Sequence, residues 1–245
     1  MKVEYKKNDI KNLYFSSISL AGLLILVLIV LYSPNSKIMY PHQYQLFLSI
    51  FIFICILGML AALSPSRCSQ LSKFKSDRNS DLKIKFEDNN SSKIEFKGHH
   101  PECDNFKTHT YNLMGNKYCA GCSGLFLGAL IVAIGTFIYY FYPFQDENIG
   151  RIIFLTGFLF VLISLLENFL FNLNINLLKF LFNLILVLGS FLILIGITEL
   201  NGSVFIQSYF LVVVLIWIMA RISNSEINHS NICKECGKES TCIYR

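Results

Sequence analysis

Six of the eight cysteines in the 245-residue chain fall into two short runs that also carry histidine. In the first, His99 to Ala129, Cys103 is followed by His109, Cys119 and Cys122, with His99 and His100 just upstream. In the second, His229 precedes Cys233, Cys236 and Cys242. A Cys-x2-Cys pair matters because a tight knuckle lets two thiolates meet one metal ion, each sulfur about 2.3 Å away, in tetrahedral geometry. Each run offers three thiolates and one imidazole, enough to close a four-coordinate site. A different partition would join Cys119 and Cys122 to Cys233 and Cys236 in a single four-cysteine clamp. The other two cysteines read differently. Cys55 lies in an apolar run as a small packing residue, and Cys68 just beyond it as incidental.

Zinc is the first expectation, since thiolates and imidazoles in tetrahedral number suit it, with iron or an iron–sulfur cluster as the alternative. The expected role is structural, because the polar stretch around the cysteines is too short to build its own core. A catalytic metal would need an open coordination position and a base. Glu102 and Asp104 are close in sequence, as carboxylates are in any polar loop. The redox alternative uses the same atoms. Cys119 and Cys122 stand at the start of an apolar helix, where unsatisfied N–H groups favour a thiolate, so CAGC could be a reactive dithiol.

The elements that must position these residues are membrane helices. Hydrophobic residues make up 53% of the chain, charged residues only 15%, and the mean hydropathy is +0.51. Disorder is excluded and a soluble fold disfavoured. Runs free of Asp, Glu, Lys and Arg extend over Asn12–Ser36, Ile38–Ser66, Tyr118–Gln145, Phe180–Thr198 and Leu200–Ala220. Each is long enough to cross a bilayer. Ile152–Leu170, interrupted only by Glu167, supplies a sixth span. The helices are predicted to centre on Ser17–Tyr32, Tyr44–Leu63, Ser123–Tyr142, Ile152–Leu170, Leu178–Ile197 and Val204–Ala220. The first has a basic lead-in but is too long for a signal-peptide core and lacks a small-x-small cleavage pattern, so it is expected to remain as a helix.

With the amino terminus inside, 19 of the 21 Lys and Arg residues fall on one face, all but Lys37 and Arg151. The positive-inside rule then predicts a cell-membrane protein with both termini cytoplasmic. The net charge of +5 is explained by this topology and by anionic lipid, with no nucleic acid required. Tyr139, Tyr140 and Tyr142, with Tyr32, Tyr40 and Tyr44, would mark the outer interface, and Trp217 and Arg221 would anchor the inner one. The outer loops leave no room for a further domain.

The fold class expected is therefore all-α: six transmembrane helices with a small cytoplasmic Cys/His-rich segment. Residues 1–63 hold the amino-terminal arm and the first two helices, 64–122 the Cys/His-rich segment, 123–221 helices three to six, and 222–245 a Cys-rich tail. Alternation at Leu82, Ile84 and Phe86, then Ile94 and Phe96, around the turn-like Glu87–Ser92, predicts a β-hairpin in the segment. Gly124 and Gly128 form a small-residue step that permits close helix approach beneath the knuckle. Glu167, Asn168 and Asn183 could cluster in the inner leaflet, where an ionisable group is a functional candidate and an interfacial residue is the plainer reading.

From His99 to Gly128 the chain resembles an uncharacterised family of small prokaryotic multi-pass membrane proteins. The resemblance rests on His100, Pro101, Cys119, Cys122, Gly124 and Gly128, matching a Cys/His-rich stretch and a Cys-x2-Cys-x-Gly-x3-Gly signature. Many bacterial members carry a Cys-His pair and an arginine just before the second knuckle cysteine. Here His99 and His100 precede Cys103, and Gly121 replaces that arginine, so the chain looks like a divergent branch of archaeal type. The resemblance implies a membrane protein with a Cys/His site and supplies no activity.

Three functions follow as expectations: a metal-organised membrane scaffold, a thiol or electron-transfer redox protein using CAGC, and a small transporter using the inner-leaflet polar residues. No Walker loop, Gly-x-Ser-x-Gly, HExxH or dinucleotide fingerprint points to an enzyme.

Overall fold

A computed structural model describes residues 2–32, 43–63, 110–113, 116–144, 146–170, 175–200 and 202–235. The described residues form six helices and one short strand pair: α1 (Lys2–Tyr32), α2 (Gln43–Leu63), β1 (Thr110–Leu113), β2 (Asn116–Cys119), α3 (Ala120–Phe141), α4 (Glu147–Leu170), α5 (Asn176–Leu200) and α6 (Val204–Glu235). Each helix contains a stretch long and apolar enough to cross a membrane: Leu13–Tyr32, Gln43–Ala62, Ala120–Phe141, Glu147–Glu167, Asn176–Leu200 and Val204–Ser225. The six spans coincide with those read from the sequence.

Large apolar side chains point outward along these helices, among them Leu31, Phe53, Phe137, Ile152 and Phe205. Such a surface is suited to lipid tails and unsuited to water. This is the architecture of a multi-pass membrane protein. Because lipid supplies no hydrophobic drive between helices, association must come from close packing and polar contacts.

α5 is the centre of the bundle, with α4 antiparallel on one side and α3 parallel on the other. Glycines make both contacts close. A Cβ placed on Gly157 of α4 would lie 2.8 Å from the Gly189 carbonyl oxygen, and one on Gly196 would lie 2.6 Å from the Phe154 Cβ. On the α3 side, a Cβ on Gly124 would collide with the Phe180 carbonyl oxygen, and one on Gly128 would sit 3.2 Å from that of Leu184. The Gly124–Gly128 step thus does what its spacing predicts. α1 packs chiefly on α6, and α2 chiefly on α3. Cys55 is buried, as expected of a packing residue.

Helix ends are closed by local bonds. The Asp146 carboxylate accepts from the N–H groups of Asn148 (2.8 Å) and Ile149 (3.2 Å), capping α4. Between α5 and α6, Gly202 takes a left-handed φ of 58° and its N–H closes back on the Ile197 carbonyl at 3.2 Å.

Three expectations about aromatic and basic residues, at Trp217, Arg221 and Tyr139, need correction. Trp217 is not an interface anchor: it is 1% exposed, packs on Phe210, and donates its indole N–H to the Ser19 carbonyl of α1 at 3.1 Å. Arg221 turns inward to Glu167. Both have partners on neighbouring helices that a window along one helix does not reveal. Tyr139 is likewise buried, whereas Tyr32 and Tyr142 are exposed as an interfacial belt requires. The hairpin predicted around 82–96 lies outside the described residues. The strand pair that is described lies later, in the run that enters α3.

Candidate functional site

β1 and β2 pair antiparallel with Thr110 opposite Cys119, Tyr111 opposite Tyr118, Asn112 opposite Lys117 and Leu113 opposite Asn116. Strand β2 passes directly into α3, and the change of backbone occurs at Cys119. Its φ of −74° and ψ of 124° are extended, and it occupies the cap position of the helix. Cys122 is then the third helical residue, and the Ser123 hydroxyl donates to the Cys119 carbonyl at 2.7 Å. Both cysteines are half-buried. Extended backbone at the first and helical backbone at the second is how Cys-x2-Cys becomes a knuckle, and the unsatisfied N–H groups of the first turn favour negative charge there.

The floor beneath this knuckle is the first turns of α5. A Cβ on Gly121 would sit 3.2 Å from the Asn183 side-chain nitrogen, which donates to the Lys179 carbonyl at 2.7 Å. The Lys179 ammonium lies within electrostatic range of both Cys119 and Glu167. Glu167 faces Arg221 at 3.5 Å, and Arg221 also reaches the Ser164 hydroxyl at 3.1 Å. Ser164 in turn donates to the Phe182 carbonyl at 2.7 Å. A polar belt thus joins α3, α4, α5 and α6 at the end of the bundle where the knuckle sits. Of the residues expected to cluster, Asn183 bonds the Lys179 carbonyl, the side chain of Asn168 lies outside the described residues, and Glu167 is only 7% exposed and pairs across helices with Arg221.

The remaining residues of the expected site are distributed as follows. Cys103, His109, Cys236 and Cys242 lie outside the described residues. His229 and Cys233 fall on the helical backbone of α6, which continues to Glu235 where a tail from residue 222 was expected. Among the described residues no three of His, Cys, Asp and Glu are gathered closely enough to hold a metal ion.

The sequence reading missed the polar contacts at the opposite end of the bundle. There the Tyr139 hydroxyl donates to the Glu199 carboxylate, the Gln43 amide to the Gly202 carbonyl and to Gln207 (3.2 Å), and Gln207 to the Thr198 hydroxyl (3.2 Å). Gln43 and Gln207 were visible only as isolated polar residues at span ends. It also missed Lys179 as a neighbour of Cys119. Sixty residues separate them, and Lys179 reads as one more inside cation.

No known protein family, curated protein or solved structure matches the chain.

Proposed function

We propose that this membrane protein, with both termini in the cytoplasm, carries a zinc site on its inner face that orders the segment leading into α3, with Cys103, His109, Cys119 and Cys122 as ligands. The observation that supports this most is the strand register. Thr110 sits opposite Cys119, and paired strand residues stand about 5 Å apart between Cα atoms. In sequence His109 immediately precedes Thr110, and Cys103 precedes His109 by six residues. A knuckle at a strand-to-helix junction, with a third and fourth ligand returned by a hairpin, suits a closed structural site. The orientation rests on the distribution of Lys and Arg.

The length of α6 favours a separate second site over a clamp between the two cysteine groups. Cys233 lies twelve residues beyond Arg221, about 18 Å along the helix axis, and Arg221 is held at the bundle by Glu167 of α4. His229, Cys233, Cys236 and Cys242 then form the second group.

Zinc per chain in Cys119→Ala and Cys236→Ala variants of the detergent-purified protein tests the partition. Two local sites predict that each variant loses one zinc of two. A clamp predicts that each loses the single zinc.

One observation favours a redox reading as the alternative: the dithiol occupies a helix amino terminus with Lys179 beside it, an environment that also activates a nucleophilic thiolate. Reversible oxidation of Cys119 and Cys122 in a metal-free protein would replace the zinc reading by that one.

A further inference from the structure

We propose that the recess between α1 and α4 is a lipid site, which holds one hydrocarbon chain of a phospholipid from the leaflet in which the α1 span begins.

The recess follows from how α1 is fastened. Trp217 of α6 donates its indole N–H to the Ser19 carbonyl at 3.1 Å, and the Tyr209 hydroxyl donates to the Gly22 carbonyl at 3.2 Å. Gly22 has no side chain to hold the helices apart, and a Cβ on it would touch Val213 at 3.4 Å. These contacts draw α1 onto α6. Toward α4 it offers Ser16, Ser17 and Ala21, which are too small to fill the space up to Leu165 and Leu166, and a recess of about 240 Å³ remains. Ser17, Ala21 and Leu24 of its lining are exposed, so it opens sideways onto the lipid-facing surface.

Depth and length select the occupant. On α1 the lining runs from Ser16 to Leu24, about 12 Å along the helix axis. It starts three residues inside the span that begins at Leu13, and on α4 it lies at the last residues before the span ends at Glu167. The recess therefore runs from one edge of the hydrocarbon layer toward its middle, close to the half-thickness of about 15 Å that the chains of one leaflet fill. Beyond Leu24 the outward residues of α1 are the large Ile25, Leu28 and Leu31. A helix from a second copy is about 10–12 Å across and crosses both leaflets, so it needs a wider and longer trough. A hydrocarbon chain supplies the dispersion contacts that Leu20, Leu165 and Leu166 would otherwise forfeit. Ser16 and Ser17 stand at the edge end, on the side of the lipid's glycerol and headgroup. By the orientation proposed above, this is the inner leaflet.

The test is native mass spectrometry of the full chain, purified in detergent and supplied with dioleoyl phosphatidylglycerol, read for bound lipid and for oligomeric state. Ala21→Phe, which fills the recess, is expected to lose one bound lipid per chain relative to wild type, and Leu28→Phe, on the outward face beyond the recess, to lose none. Should Ala21→Phe not fold, Ser17→Leu makes the same comparison. Equal lipid counts in wild type and the filled variants overturn the proposal, as does an equal loss in Leu28→Phe. A wild-type dimer that Ala21→Phe dissociates assigns the recess to a second copy of the chain and overturns it as well.

Discussion

Gly157 of α4 and Gly189 of α5 face each other so closely that a Cβ on either would lie within 3 Å of the other's carbonyl oxygen, 2.8 Å in one direction and 2.9 Å in the other. The neighbours are backbone atoms, which cannot swing aside. Gly157→Ala or Gly189→Ala is expected to cost about 1–3 kcal/mol through forced separation of the helices. A Cβ on Gly58 would meet nothing within 4 Å, so Gly58→Ala should be neutral or slightly stabilising. Thermal unfolding of the three variants in one detergent checks this. Equal midpoints for Gly157→Ala and Gly58→Ala would contradict the close packing.

The pair formed by Glu167 and Arg221 gives a signed prediction for charge. Both side chains are largely buried, at 8% and 13% exposure, so removing Arg221 takes from Glu167 the cation it hydrogen-bonds and leaves only the longer-range Lys179. Arg221→Met alone should destabilise by about 3–5 kcal/mol, and adding Glu167→Gln should recover much of the loss. A double-variant cycle on unfolding midpoints reads the coupling. Simple additivity would mean that the two side chains do not depend on each other.

At the opposite end, Gln207 accepts from Gln43 and donates to Thr198, tying the start of α2 to α5 and α6. Gln207→Leu is expected to cost about 1–3 kcal/mol because the buried Gln43 amide loses a partner. Hydrogen exchange should rise selectively in the first turn of α2. Unchanged exchange there would show that apolar packing alone holds that helix end.

The six spans and the glycine step on α3 were legible because they depend on local properties: twenty apolar residues, or two glycines four apart. The start of α3 at the knuckle was legible for the same reason. The β1–β2 pair was not, since TYNL alternates over only four residues and its partner NKYC does not alternate at all. Trp217, Arg221 and Tyr139 were misplaced at the interface because a side chain near a span end can turn to lipid headgroups or to a neighbouring helix, and only the neighbour decides. Lys179 shows the same limit at the site itself. Its turn of α5 meets the start of α3 because the two helices run side by side, a relation that no spacing within either helix encodes.

Whether the cysteines hold metal is tested most directly by zinc, iron and acid-labile sulfide per chain in detergent-purified protein, with alkylatable thiols counted before and after chelation. Two zincs with six protected cysteines, released together by the chelator, is the result expected. A metal-free chain whose Cys119 and Cys122 alkylate at once and oxidise reversibly would contradict it.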